Sequence, residues 1–182
     1  MGFCRPLIAI IALAACIAQA ADESAGALQQ RIKAAFLYKF AAYVEWPASA
    51  FPQPETPLVI GVAGAEPIAR QLDQAVAAGQ TMGGRPMRVH RIALDESPND
   101  CCQILFIGAD NAHGRAAQLL EETSGRPVLT VTDLDEQPQG SVINFLVADN
   151  HVRFDISRPA AERNGLKLRA QLLAVARQAT GR

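Results

Sequence analysis

Apolar residues recur at helical spacing over residues 24–45. Ile32, Phe36, Phe40 and Tyr43/Val44 mark one face, and Ala35, Leu37 and Ala41 broaden it. Pro47 disfavours helix at the residue before it, so the helix is expected to end near Trp46. Four prolines between 47 and 57 then predict an extended linker. The run Leu58-Val-Ile-Gly-Val-Ala-Gly64 has the β-branched character of a buried strand. Glu66-Pro67 opens a helix whose inner face carries Ile68, Leu72 and Val76. Residues 79–86 form a turn-rich loop. Residues 86–92 alternate with period two, as a half-exposed strand does.

Beyond this point Ile104-Leu-Phe-Ile107 reads as a fully buried strand, 112–123 as a helix and Val128–Thr132 as a further strand. Ser141 to Ile156 reads as a hairpin turned by Asp149-Asn150, with strands over 142–147 and 152–156. Ser157 is placed to cap a short helix that Asn164-Gly165 stops. Leu166-Lys-Leu168 is briefly extended. Residues 169–178 close the chain as a helix with Leu172, Leu173, Val175 and Ala176 inward. Strands alternating with helices, followed by a hairpin, imply an α/β three-layer sandwich. Its sheet is mixed but mostly parallel, flanked by helices, with the hairpin and a helix at the C-terminal end. The strands at 58–63 and 104–107 are expected at its centre.

The first twenty residues follow a different grammar. Arg5, the apolar run Leu7–Ala15 and the small-x-small site Ala18-Gln19-Ala20 make a secretory signal, leaving a single domain over 21–182. A second reading takes Leu13-Ala-Ala-Cys16 as a lipobox acylated at Cys16. Either reading places the folded part outside the inner membrane, in an oxidising space without ATP. Composition agrees with one folded domain: 182 residues are 49% hydrophobic with a net charge of −1, which excludes disorder as the main theme. Seventeen Lys+Arg against 18 Asp+Glu, with no long cationic run, exclude a basic nucleic-acid binder. Cys4 and Cys16 belong to the signal. The mature chain keeps Cys101 and Cys102 side by side, as one buried and one exposed thiol, a vicinal disulfide or an intermolecular bridge.

Candidate chemistry is thin. Ile60-Gly-Val-Ala-Gly-Ala-Glu66 follows a strand but lacks the glycine spacing of a dinucleotide or phosphate loop, and Glu66 is the wrong charge for a phosphate. No serine sits in a nucleophile-elbow frame. His90, His113 and His151 lie far apart, without metal-ligand spacing. Asp133, Asp135 and Glu136 cluster just after a strand, where α/β folds place ligands; as a carboxylate pair they have acid–base potential, as a solvated loop none. Neither a cofactor, a metal nor an enzymatic activity is expected.

Several blocks together carry a family resemblance. They are Ile32-Lys-Ala-Ala-Phe-Leu-Tyr-Lys-Phe-Ala-Ala-Tyr-Val-Glu-Trp-Pro47, Leu58–Gly64, Cys102-Gln-Ile-Leu-Phe-Ile107, Val128-Leu-Thr-Val-Thr-Asp133, the hairpin strands, Gly165-Leu-Lys-Leu168 and Leu172–Ala176. In this order they resemble the YfiR-like family of periplasmic proteins. The resemblance implies binding rather than catalysis: repression of a membrane-bound diguanylate cyclase through its periplasmic sensor domain, lowering cyclic-di-GMP output and biofilm. It also implies sequestration by an outer-membrane lipoprotein, and it leaves a homodimer open. The family pattern is richer in disulfides. Cys102 sits at a matching position, but here its one possible partner in the mature chain is Cys101.

For a partner surface the sequence offers Trp46, Arg153, Asp155, Leu166 and Lys167. Trp46 either packs under the proline-rich linker or anchors an interface. Arg153 and Asp155 face away from the apolar side of the hairpin, beside Leu166 and Lys167. Phe36, Leu37, Phe40 and Phe154 read as core. Two other functions remain: a small-ligand sensor with its pocket at strand ends near Asp133, and an adaptor of a histidine kinase.

Overall fold

The computed structural model describes residues 25–93, 95–98, 101–109 and 115–181. The expected signal at 1–20, with Cys4 and Cys16, and His113 lie outside the described residues. The strands in chain order are β1 (Val44–Glu45), β2 (Leu58–Ala63), β3 (Met87–Arg91), β4 (Ile104–Ile107), β5 (Leu129–Thr132), β6 (Ile143–Ala148), β7 (His151–Ser157), β8 (Lys167–Leu168) and β9 (Gln178–Thr180). The helices are α1 (25–40), α2 (Glu66–Ala77), α3 (Arg115–Glu122), α4 (Arg158–Arg163) and α5 (Ala170–Val175).

The main sheet runs β3-β2-β4-β5-β6-β7-β9. Pairs from β3 to β6 are parallel, β6 and β7 are antiparallel, and β9 returns parallel to β7. The sheet is therefore mixed and mostly parallel, as the alternating strands and helices imply. Both faces of its centre are covered. Ile104 and Phe106 join an apolar cluster with α1, α2 and α5, while Leu105 and Ile107 join a second cluster with α3. Burial on both sides explains why β4 and β5 read as continuous apolar or threonine runs rather than alternating ones. Phe40, Phe106 and Phe145 are among the largest fully buried side chains, each worth about 1.5–3 kcal/mol of transfer free energy. Phe36, Phe40, Phe145 and Phe154 pack ring on ring, with centroids 5.0–6.5 Å apart, and fix α1 to the hairpin.

Local chemistry explains the element ends. The hairpin turns on Asp149 and Asn150, with φ of 51° and 59°, the left-handed pair that a two-residue turn needs. Ser157 caps α4 by accepting from the Ala160 N–H, and Gly165, at φ 67°, stops it.

Three segments differ from expectation. The first helix gives way to a 3-10 turn at Ala41–Tyr43, and Val44–Glu45 are extended because they pair with Leu168 and Lys167. The linker contains a 3-10 turn, Ala48–Ala50. The last helix ends at Val175 rather than continuing to 178, because residues 178–180 add to the sheet edge beside β7. Arg177 seals that edge: its guanidinium donates to both Asp155 carboxylate oxygens. Val175 is consequently 65% exposed instead of facing inward.

Candidate functional site

The connections around β2 reverse direction. The β2-α2-β3 unit winds toward one edge, and β4-α3-β5 winds toward the other on the opposite face. The carboxyl ends of β2 and β4 therefore lie at the point of reversal, which is where open α/β sheets bind ligands. A cavity of about 210 Å³ lies there. Gly64 and Ala65 after β2, Gly108 and Ala109 after β4, and Asp133 after β5 line it, and the N-terminal part of α1 covers it with Gln29, Gln30 and Lys33.

Each wall has an identifiable cause. Gly108 is a position where a side chain does not fit. A Cβ there would collide with the Gly64 carbonyl oxygen and lie 2.7 Å from the Ala65 Cβ. The two loops thus approach as closely as backbone allows. Asp133 is held from behind. Its N–H donates to the Ile107 carbonyl at 3.1 Å. The neighbouring Leu134 exchanges two hydrogen bonds with the buried Asn144 side chain, which also accepts from Thr132 Oγ1 at 2.7 Å. Buried polar groups linked in this way fix a loop, since each would be costly if left unpaired.

Lys33 completes the site. Its Nζ donates to Asp133 Oδ1 at 2.7 Å and Oδ2 at 2.6 Å, and the residue is only 8% exposed. The face of α1 changes character along its length. Lys33, Gln29 and Gln30 line the crevice, whereas Leu37 and Phe40, one and two turns later, enter the core. At the start of α2, Ala65 supplies no side-chain cap. Glu66 is engaged by Arg91, and that hydrogen bond holds its carboxyl below the usual range. The arrangement sets a positive and a negative group side by side in one small opening.

The sequence reasoning singled out Asp133 but not Lys33. The signal was present, because Lys33 lies in the first block of the family resemblance and Asp133 closes another. Asp135 and Glu136 do not line the crevice. His90 pairs with Glu96 at 2.7 Å, and His151 is exposed with Nδ1 2.6 Å from the Asp149 carbonyl. Among the described residues no group of three or more His, Cys, Asp or Glu is placed to hold a metal ion. Among them also, no helix is long and apolar enough to cross a membrane. The Sγ atoms of Cys101 and Cys102 lie 2.7 Å apart without a covalent bond between them; the hydrogen bond to Cys101, and then burial, push the Cys102 thiol well up.

The residues expected at a partner surface separate into two groups. Arg153 and Lys167 are exposed. The others are engaged within the fold. Trp46 donates to the Ala41 carbonyl at 3.1 Å and packs edge-on against Phe51 of the linker. Asp155 is held by Arg177. Leu166 is only 2% exposed, which corrects its placement beside Lys167 at the surface, because it packs into the main core. A second opening, about 310 Å³, lies between α1 and α5, lined by Phe36, Tyr43, Phe154, Leu172 and Val175. No sequence reasoning found it, since it depends on where α5 ends.

Comparison with known proteins identifies a family. A family model described as YfiR/HmsC-like covers residues 30–177. No curated protein matches the chain.

Proposed function

Since the chain belongs to the YfiR/HmsC-like family, we propose that it is a periplasmic regulatory protein that holds a membrane-bound diguanylate cyclase inactive by binding its periplasmic sensor domain. The observation that carries this reading is the extent of the match, 30–177, which takes in almost every element of the fold. On this reading residues 1–20 export the chain and are removed. The protein acts by binding, not by catalysis. A lipoprotein of the outer membrane that sequesters it would release the enzyme.

The energetic demand is modest. A regulator shifts a two-state receptor only as far as it binds one state more tightly than the other. Taking a cyclase from mostly active to mostly inactive needs about 3–5 kcal/mol of differential affinity. An interface of about 1,600 Å² supplies that readily. Arg153 and Lys167 are the exposed charges we assign to the contact. The opening between α1 and α5, where Tyr43 is 40% and Val175 65% exposed, is an apolar surface we assign to the contact as well.

The test is co-purification from membranes of the source organism. The unaltered protein should bring down a membrane protein whose periplasmic sensor domain is joined to a cyclase. The variant R153E/K167E should lose it while keeping its circular dichroism spectrum. Recovery of that cyclase undiminished by the double charge reversal would remove the contact assignment. Failure to recover any membrane signalling protein would remove the reading itself.

A further inference from the structure

We propose that the crevice at the carboxyl ends of β2, β4 and β5 is a binding site for a small zwitterion, a molecule of amino-acid size bearing one ammonium and one carboxylate. The inference rests on the crevice alone and stands whether or not the partner reading does. Four observations lead to it.

The first is position. The crevice lies where the winding of the sheet reverses, at the carboxyl ends of its strands, the usual ligand position in an open α/β sheet. The second is size. At about 210 Å³ it is smaller than the roughly 300–1,000 Å³ of pockets for drug-sized ligands, which excludes nucleotides and admits a small metabolite.

The third is the charge pair. Lys33 and Asp133 line the opening, and the Lys33 side chain is only 10% exposed. A buried ion pair is seldom more stabilising than apolar residues of the same volume, so fold stability does not account for it. An ammonium has three N–H donors, and those of Lys33 make two hydrogen bonds to Asp133. Among the described residues the third meets no other partner and is available to a ligand carboxylate, and the Asp133 oxygens have lone pairs left for a ligand ammonium. The fourth is balance. The two charges of the site sum to zero, so a simple anion meets Asp133 and a simple cation meets Lys33. A zwitterion alone satisfies both. Pro67, Ile68 and Ala109 supply an apolar wall for a short side chain.

The test is titration of the purified full chain, followed by ¹⁵N–¹H NMR. Glycine, L-alanine, L-serine and L-valine are the probes; propionate and ethylamine carry one charge each. At least one zwitterion should saturate at millimolar concentration or below, shifting the Gly64 and Gly108 amides. Propionate and ethylamine should bind at least tenfold more weakly. The variant K33M/D133L, which removes both charges together, should weaken zwitterion binding at least tenfold. Absence of saturable binding by every zwitterion overturns the proposal. So does equal binding of propionate, or zwitterion binding undiminished in K33M/D133L. If that variant does not fold, the comparison of alanine with propionate and ethylamine on the unaltered protein decides.

Discussion

Removing the charge of Lys33 alone should destabilise the fold, while removing both charges of its pair should not. Lys33 Nζ sits 2.7 and 2.6 Å from the two Asp133 oxygens, with side-chain exposures of 10% and 24%. Breaking a buried pair from one side typically costs about 3–5 kcal/mol, because the remaining charge is stranded. Water already reaches a quarter of Asp133, so part of that cost is recovered and about 2–3 kcal/mol remains for K33M. In a domain of this size that corresponds to a loss of roughly 5–10 °C in Tm. K33M/D133L strands no charge and should lie within about 1 kcal/mol of the unaltered protein. Urea unfolding followed by the fluorescence of the single tryptophan, Trp46, measures all three proteins. If K33M unfolds at the same urea concentration as the parent, the pair is effectively solvated and the crevice is not a desolvated site. If K33M/D133L is as unstable as K33M, attraction within the pair, rather than a stranded charge, dominates.

Three further outcomes are expected. G108A should cost about 2–3 kcal/mol in urea unfolding, since its Cβ meets the Gly64 carbonyl group and the Ala65 methyl, neither of which can swing aside as a long side chain does; a neutral effect would mean the loops separate freely. Iodoacetamide at pH 8 should leave Cys102 unlabelled in the native protein and label both Cys101 and Cys102 in denaturant, because the raised pKa keeps Cys102 a thiol and only the thiolate reacts; mass spectrometry showing an adduct on Cys102 of the native protein would contradict this. On acidification, Glu66, Glu96 and Glu122, lowered from 4.5 by hydrogen bonds from Arg91, His90 and Ser97, contribute stability that is present above that value and lost as pH falls through their depressed folded values. Stability measured against pH should therefore slope more shallowly on the acid side in E96Q than in the parent, and an unchanged slope would contradict the assignment.

Most of the fold was legible because its signals are local. The Pro at the start of α2, the Ser157 cap, the Asp149-Asn150 turn and the apolar runs of β2 and β4 each specify their element from within a few residues. The misses are non-local. Val44–Glu45 leave the helix because Leu168 and Lys167, 124 and 122 residues further along the chain, pair with them. Residues 178–180 become a strand because β7 offers an edge and Arg177 finds Asp155. Leu166 looked exposed beside charged Lys167, but its burial is decided by the core it folds into. The site divides in the same way. Asp133 could be flagged from its place after a strand, but Lys33, 100 residues away, reads as one of the polar positions of an amphipathic helix until the sheet brings the two together.

The most direct measurement of the regulatory account is cellular cyclic-di-GMP in a strain lacking this protein. The account predicts that the level rises above that of the parent, falls back when the full chain is restored, and stays high when the chain is restored without residues 1–20. An unchanged level on deletion, or full restoration by the chain that lacks residues 1–20, would contradict repression of a membrane cyclase from the periplasm.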